Sequence, residues 1–145
     1  MITTANSQDK DILTSYLTVA SYEMDSFGHV NNAVFLNYLE KARCDFMIAK
    51  GLAFKDFFTW DRYPVVVRAH VEYKFPAQAD DHLLIKGWIR LHTATSFTLQ
   101  YEITNQDNGK LVLTGETVHV FVDGKNHPCR IPSEFSRKFL PTKKD

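Results

Sequence analysis

A chain of 145 residues, of which 44% are hydrophobic, is long enough to fold as one domain with a core of ordinary size. Because 17 Lys and Arg residues balance 17 Asp and Glu residues, the zero formal net charge argues against the broad basic surface used to bind nucleic acid or anionic membranes. The two cysteines form no CxxC pair, and no apolar run is long enough to cross a bilayer, so we expect a cytoplasmic protein with one domain over residues 1–145.

The first predicted elements are a strand and a long helix. Residues 12–22 (ILTSYLTVASY) have the β-branched and aromatic composition of a strand. Asn31 and Asn32 both suit a helix N-cap, and hydrophobic residues then recur at the i, i+3 and i+4 positions of one helical face as far as Met47. With Gly51 as a C-terminal stop, the sequence predicts one helix of about five turns with a buried apolar stripe.

Residues 52–64 (LAFKDFFTWDRYP) are dense in aromatic side chains but follow no long period. Such a segment either plugs one end of the core or forms one wall of an apolar pocket, because small-molecule pockets use the same residue types as cores. The composition does not separate these two interpretations.

Four further segments alternate between apolar and polar residues with the two-residue period of strands. They cover residues 65–75, 83–92, 96–103 and 110–122, and Asn108-Gly109 suits a hairpin turn between the last two. These elements predict an α+β fold with a five-stranded antiparallel sheet packed on one long helix, a core over about residues 12–133, and a short helical turn near the C-terminus. In the segment 65–75 the alternation predicts one buried face, formed by Val65, Val67, Ala69, Val71, Tyr73 and Phe75.

Polar residues are concentrated directly before the helix, in the sequence MDSFGHVNN of residues 24–32. Asp25 precedes a turn at Gly28, so we expect its carboxylate near the helix entrance, where unpaired N–H groups around Val30 to Ala33 favour negative charge. A carboxylate beside such donors suits hydrolysis of an activated acyl group, as nucleophile or general base, while the N–H groups polarise the carbonyl. The alternative is that Asp25 only caps the turn and the asparagines only cap the helix.

The histidines and cysteines add no separate motif. A turn histidine such as His29 is usually a structural hydrogen-bonding group, and the other five histidines are scattered singly, without the close spacing of metal ligands. Cys44 lies within the predicted helix, where cysteines are commonly inert. We therefore expect no metal site.

Residues 22–43 (YEMDSFGHVNNAVFLNYLEKAR) resemble the hotdog-fold acyl-CoA thioesterases of the 4-hydroxybenzoyl-CoA thioesterase-like family. The resemblance rests on Asp-x-x-Gly-His-Val-Asn-Asn followed by an aromatic helix that ends in Glu-x-Ala-Arg, and it continues through residues 65–89, Ser96-Phe97 and residues 115–132. It covers about residues 14–133. It implies a sheet wrapped around the long helix and a homodimer or homotetramer with active sites at subunit interfaces.

The resemblance also implies roles for individual residues. Asp25 would be the catalytic carboxylate, the backbone N–H of Asn32 would polarise the thioester carbonyl, and His29 would orient Asp25 or its turn. The partner subunit's Val67, Arg68 and Ala69 would line the same site, with Phe35 and Ser96 as further substrate-binding candidates. We expect an apolar acyl pocket that favours medium-to-long or aromatic acyl groups and is shaped partly by Phe35, Leu39, Phe57, Phe58 and Trp60.

Two departures from the family pattern affect the substrate. Where some relatives carry a basic run that meets the CoA phosphates, this chain has Thr-Ala-Thr at 93–95, which leaves Arg90, His92 and Lys74 as candidate cations. A hydratase of the same fold would have asparagine and histidine two and five residues after the aspartate, where this chain has Phe27 and Val30, so hydration is disfavoured.

The sequence is therefore interpreted as an acyl-CoA thioesterase that uses neither metal nor organic cofactor. Its substrate is an acyl-CoA or an acyl-carrier protein, and no nucleic acid or membrane partner is expected. The alternative is a non-catalytic module that binds acyl-CoA or acyl-carrier protein with the same fold. Sequence alone separates the enzyme from the binding module poorly, although the presence of Asp25 favours the enzyme.

Overall fold

The computed structural model describes residues 3–4 and 11–141, which form one sheet and three helices. A short 3₁₀ turn at Ser21–Glu23 precedes the long helix. The helices are α1 (Asn32–Ala49), α2 (Phe54–Trp60) and α3 (Ser133–Phe139). The strands are β1 (Thr3–Thr4), β2 (Leu13–Thr18), β3 (Tyr63–Tyr73), β4 (His82–His92), β5 (Ser96–Asn105) and β6 (Leu111–Val122).

All strand pairs in the sheet are antiparallel, and the strand order is β1-β4-β5-β6-β3. Strand β2 also pairs with β4, at residues 82–87, whereas β1 pairs with β4 at residues 91–92. The five predicted strands are present, and β1 adds a two-residue pairing to them. The predicted hairpin joins β5 to β6, where Gly109 adopts the positive φ of 73° that such a turn requires. The predicted α+β architecture is therefore confirmed.

Helix α1 lies against β2 and β4 and supplies much of the core. Its side-chain cap is Asn31, whose Oδ1 accepts a hydrogen bond from the N–H of Ala33 at 2.9 Å, as the sequence predicts. Close packing depends on Gly87 of β4, because a Cβ atom there would lie 2.4 Å from the ring of Phe46. The buried residues of α1 are Phe35, Tyr38, Leu39, Ala42 and Phe46.

The prediction of one buried face on β3 is wrong. Val67 is 57% exposed and Tyr73 is 49% exposed, although both belong to the face that alternation assigns to the core. Within the residues that the structure describes, strand β3 pairs only with β6 and so forms a sheet edge. A register shift between Val66 and Arg68 marks a bulge that interrupts the alternation. An edge strand with exposed hydrophobic residues is open to pairing with another chain.

Two other segments differ from the sequence predictions. The strand predicted at 12–22 ends at Thr18 and gives way to the 3₁₀ turn. Residues 52–64, which show no long period, contain the seven-residue helix α2, too short for a helical period to stand out. The helical turn predicted near the C-terminus is α3, whose Phe135 and Phe139 are buried in the core.

Candidate active site

The loop between β2 and α1 is held in place by Glu23. The Glu23 carboxylate accepts hydrogen bonds from the N–H of Ala20 at 2.8 Å and from the hydroxyl of Tyr38 at 3.0 Å. The Glu23 carbonyl accepts the N–H of Asn31 at 3.0 Å, directly at the start of α1. Burial, and then the adjacent Glu23 carboxylate, raise the pKa of Tyr38, so its hydroxyl remains a donor at physiological pH.

Asp25 closes a five-residue turn with its own side chain. Its Oδ1 accepts hydrogen bonds from the N–H of Phe27 at 2.9 Å and of His29 at 3.3 Å, and its backbone N–H donates to the carbonyl of His29 at 2.7 Å. Gly28 occupies the turn position with φ of +81°, which favours glycine. The other carboxylate oxygen, Oδ2, accepts no hydrogen bond from the residues that the structure describes.

A second turn has the same construction as the Asp25 turn. Asp123 Oδ1 accepts the N–H of Lys125 at 2.9 Å and of His127 at 3.0 Å, and the Asp123 N–H donates to the His127 carbonyl at 2.9 Å. Asn126 takes the positive-φ position that Gly28 occupies in the first turn. The hydrogen bonds around Asp25 are therefore those of a structural turn, and any chemistry must come from what its free oxygen faces.

Most of the N–H groups at the start of α1 are already paired, which corrects the expectation of several free donors. Val30 donates to the carbonyl of Ala77 at 2.8 Å, Asn31 to Glu23, and Ala33 to the Asn31 side chain. Within residues 11–141, no acceptor takes the N–H of Asn32. The site therefore offers one free backbone donor at the electropositive end of the helix.

Asp25 and Asn32 face a common cavity of about 410 Å³, which we call the Asp25 cavity. His29 and Phe35 line it too, so four of the sequence-predicted site residues are brought together. The His29 ring forms no hydrogen bond with the described part of the chain, and His29 contacts Asp25 through its backbone. The other lining residues are Val30, Tyr73, Lys74, Phe75 and Pro76.

Tyr73 belongs to this site but was expected in the core. Its hydroxyl donates to the carbonyl of Asn32 at 2.9 Å, and its ring lies 5.6 Å from that of Phe35 between centroids. Tyr73 and Asn32 are 41 residues apart in the sequence, so this hydrogen bond forms only because the fold places β3 beside α1. Tyr73 thereby fixes the first turn of α1.

The remaining predicted site residues do not reach the Asp25 cavity within one chain. Val67, Arg68 and Ala69 are exposed on the edge strand β3, and Ser96 begins β5 with its hydroxyl 2.8 Å from that of Thr93. Their contribution from a partner subunit stays a prediction. Of the candidate cations for CoA, Lys74 lines the Asp25 cavity. Both Lys74 and Arg90 form ion pairs, Lys74 with Glu72 at 2.8 Å and Arg90 with Glu116 at 3.0 Å.

A second cavity, of about 340 Å³, lies between the later turns of α1, helix α2 and the first residues of β3. We call it the Arg43 cavity. The expected acyl-pocket residues are divided: Phe57 lines this cavity and Phe35 lines the other, but Leu39 is fully buried in the core and Phe58 is 61% exposed. Trp60 packs on the core without lining either cavity. Residues 52–64 thus both cover the core and wall a pocket.

A chain of hydrogen bonds runs from Arg43 into the core. Arg43 Nη1 donates to the Tyr101 hydroxyl at 3.3 Å, Tyr101 and the Thr117 hydroxyl are 2.6 Å apart, and Thr117 is 2.8 Å from His119 Nε2. Burial, and then the charge of Arg43, lower the pKa of His119 to about 3. His119 is therefore neutral at physiological pH, and it stacks on Phe97 with ring centroids 4.7 Å apart.

Comparison with known proteins identifies relatives. A family model described as the thioesterase-like superfamily matches residues 19–139. The chain is 28% identical to an acyl-acyl carrier protein thioesterase of Arabidopsis thaliana (ATL3, chloroplastic), over 86% of this chain and 65% of that protein. It is 32% identical to the long-chain acyl-CoA thioesterase FadM of Escherichia coli, over 78% of this chain and 85% of FadM. The chain thus spans less than two thirds of the Arabidopsis protein.

The fold is that of solved thioesterase structures. Slr0204 of Synechocystis, a 1,4-dihydroxy-2-naphthoyl-CoA thioesterase, superposes with a TM-score of 0.82 at 22% identity, over 88% of this chain and 94% of that one. The hotdog fold that the sequence resemblance implies is thereby confirmed. None of the helices in the described ranges has the length and apolarity needed to cross a membrane.

Proposed function

The chain belongs to the thioesterase-like superfamily, and from that membership we propose that it is an acyl-CoA thioesterase, which hydrolyses an acyl thioester to a free acid and CoA. One observation carries the proposal: an aspartate with a free carboxylate oxygen and a helix N-terminus with a free backbone N–H face the same cavity. Hydrolysis of an acyl group needs a base or nucleophile and a donor for the oxyanion, and these two groups supply them.

Asp25 has two possible roles, and both use its free Oδ2. As a general base it removes a proton from water while the water oxygen bonds to the carbonyl carbon, and the proton later goes to the departing thiolate as the carbon–sulfur bond breaks. As a nucleophile it forms a mixed anhydride and releases the thiolate, and water then hydrolyses the anhydride. In both roles the bonds from Phe27 and His29 hold Oδ1 and so fix the direction of Oδ2.

The N–H of Asn32 stabilises the negative charge that forms on the carbonyl oxygen. Removing one such donor typically costs about 10²–10³ in turnover, so a single donor contributes substantially. The dipole of the 18-residue helix α1 adds to this stabilisation of the oxyanion, most strongly where water is excluded. Tyr73 and Glu23 hold this donor in position, because they bond the carbonyl of Asn32 and the N–H of Asn31.

The proposed thiol carrier is CoA, with acyl-carrier protein as the alternative. Lys74 supports a phosphate-bearing carrier, because it is a cation that lines the Asp25 cavity. Its ion pair with Glu72, at 2.8 Å, is exposed to solvent, so exchanging that carboxylate for a phosphate costs little. The relatives compared above are named as thioesterases for the two kinds of carrier, so similarity alone leaves the choice open. A cytoplasmic location remains part of the proposal, supported by the two free cysteines Cys44 and Cys129.

We also propose a homodimer or homotetramer in which β3 of one subunit meets its partner. The support is the open edge of β3, where Val66 and Val67 are exposed beside the bulge. Pairing there would cover exposed apolar surface and unpaired backbone groups together. It would also bring the partner subunit's Val67, Arg68 and Ala69 towards the site.

The experiment compares Asp25→Asn with Asp123→Asn, because both aspartates close the same kind of turn. Thiol release from acyl-CoA is measured per folded protein, together with the melting temperature. Asp25→Asn should lower turnover by about 10²–10⁴-fold, the range for a general acid–base group, and by more if Asp25 is the nucleophile. Asp123→Asn should retain the wild-type rate.

The outcome also separates the enzyme from the binding module. If Asp25→Asn retains activity within about threefold of wild type, the carboxylate does not carry the reaction, since the loss expected is far larger. If wild-type protein binds acyl-CoA in calorimetry but releases no thiol from any acyl-CoA, the binding-module alternative replaces the enzyme.

A further inference from the structure

The Glu-x-Ala-Arg end of the sequence motif has no part in the mechanism above. Its charged residues, Glu40 and Arg43, both line the Arg43 cavity rather than the Asp25 cavity. Within residues 11–141, Arg43 makes one hydrogen bond, to Tyr101, and neither Arg43 nor Glu40 forms an ion pair. Their presence in a pocket needs an explanation.

The pocket around these two charges is otherwise mainly apolar. Five aromatic and five aliphatic side chains form its wall, together with Cys44 and the neutral ring of His119. A guanidinium beside such a wall loses hydration, and the loss is offset only when its donors find acceptors. With one acceptor fixed by Tyr101, the other N–H groups of Arg43 are available to a ligand. The aromatic lining residues are Phe54, Phe57, Tyr63, Phe97 and Phe139.

The Arg43 cavity lies along the same face of α1 as the proposed oxyanion donor. At 100° per residue, Asn32, Leu36 and Arg43 fall within about 40° of one another around the helix. Leu36 is 43% exposed, so an accessible apolar side chain lies on this face between Asn32 and Arg43. Strand β3 borders both of them, with Tyr63 to Val66 at one and Tyr73 at the other.

The separation of the two sites sets a length. Arg43 is 11 residues beyond Asn32 in α1, which corresponds to roughly 16 Å at about 1.5 Å per residue. An extended chain advances about 1.2 Å per bond, since three backbone bonds span about 3.3–3.6 Å. An acyl chain with its thioester at Asn32 would therefore reach Arg43 after roughly 12 to 14 bonds.

We propose that the Arg43 cavity receives the far end of a long acyl chain, and that Arg43 and Glu40 together bind a hydroxyl group at that end. This inference rests on the proposed function. A hydroxyl matches this pair because its oxygen accepts from the guanidinium while its proton is donated to the carboxylate. A carboxylate at the same place would meet Arg43 but would be repelled by Glu40. An unsubstituted chain would offer no group to Glu40 or to the N–H groups of Arg43 that Tyr101 does not accept.

The test measures kcat/KM for acyl-CoAs of about 12 to 14 carbons with no substituent, a terminal hydroxyl or a terminal carboxylate. Wild type should prefer the hydroxylated chain over the unsubstituted chain by about tenfold, as expected for hydrogen bonds to charged groups. Arg43→Met should abolish that preference, mainly through KM, and Glu40→Gln should reduce it. Arg137→Met, which removes an exposed arginine of α3, should leave it unchanged.

Three outcomes would overturn the inference. Wild type could prefer the unsubstituted chain. Alternatively, the ratio of kcat/KM for the hydroxylated chain to kcat/KM for the unsubstituted chain could be equal in wild type and Arg43→Met. Arg43→Met could also lower the melting temperature with the ratio unchanged, which would make Arg43 structural. Should Arg43→Met fail to fold, Glu40→Gln decides the matter, because Glu40 is exposed. An unchanged ratio in that variant refutes the shared site.

Failure of the proposed function would give a different result. In that event wild type would release no thiol from any of the acyl-CoAs, whatever their substituent. Binding of the free hydroxylated and unsubstituted fatty acids, measured by calorimetry on wild type and Arg43→Met, then tests the cavity without catalysis. If both acids bind wild type and Arg43→Met with equal affinity, the inference is refuted as well.

Discussion

Acidification should destabilise this protein through His119, well above the pH at which ordinary carboxylates titrate. His119 is only 2% exposed, and it lies between the Thr117 hydroxyl and the backbone carbonyl of Pro64, with the Arg43 charge nearby. Burial, and then the Arg43 charge, lower the pKa of His119 to about 3 in the folded protein, against about 6.5 for an unperturbed histidine, although the hydrogen bond with the Pro64 carbonyl acts in the opposite direction. Between these pH values the unfolded chain binds a proton that the folded protein excludes.

The size of the effect follows from proton linkage. Because the unfolded state binds more protons, the free energy of unfolding rises with pH between about 3 and 6.5 and is fully recovered above that range. At about pH 4.5, two units below the unfolded pKa, the expected loss is about 2–3 kcal/mol, at 1.36 kcal/mol per unit. That loss is a large fraction of the stability of a typical domain.

Urea unfolding at several pH values, on wild type and His119→Gln, measures this effect. The glutamine amide can donate and accept hydrogen bonds but does not titrate, so the variant should lose less stability than wild type between about pH 6.5 and 4.5. Other groups, such as Asp45, contribute equally to both proteins and cancel in the difference. Parallel losses in the two proteins, or an NMR titration of the His119 ring near its ordinary pKa, would refute the reasoning.

Two further predictions concern the site and its assembly. His29→Ala should lower turnover with little change in melting temperature, because the His29 ring makes no hydrogen bond with the described residues and lines the Asp25 cavity; a lowered melting temperature with an unchanged rate per folded site would make it structural. Light scattering at micromolar concentration should give two or four times the 16.7 kDa chain mass, and Val67→Asp, at the exposed bulge, should reduce mass and activity together. A fully active monomer would contradict an interface-built site.

Local sequence signals predicted the elements whose causes are local. The cap at Asn31, the helical spacing that follows and the Asn108-Gly109 turn each depend on residues within a few positions of one another. Those predictions agree with the structure closely. Helix α2 was missed because seven residues give less than two full turns of periodicity.

Long-range pairing explains where the sequence predictions failed. Alternation in β3 predicts a buried face, but burial depends on what the fold packs around the strand, and among the described strands β3 pairs with β6 alone. Tyr73, on the face that alternation assigns to the core, bonds the carbonyl of Asn32 and lines the Asp25 cavity instead. Residues such as Arg43 and His119, 76 positions apart, are likewise joined only through the fold.

The two aspartate turns show how far a motif can be interpreted on its own. Asp25 and Asp123 are each followed four residues later by a histidine, and each closes its turn with the same pair of backbone hydrogen bonds. Local sequence and local geometry therefore fit the capping interpretation of Asp25 as well as the catalytic one. The difference lies beyond the turn, because only Asp25 shares its cavity with the start of α1, where the N–H of Asn32 has no acceptor within the described chain. A catalytic role for Asp25 thus rests on its position relative to the helix. The paired Asp→Asn substitutions compare that position with one outside the Asp25 cavity, in turns where Oδ1 accepts the same two backbone hydrogen bonds.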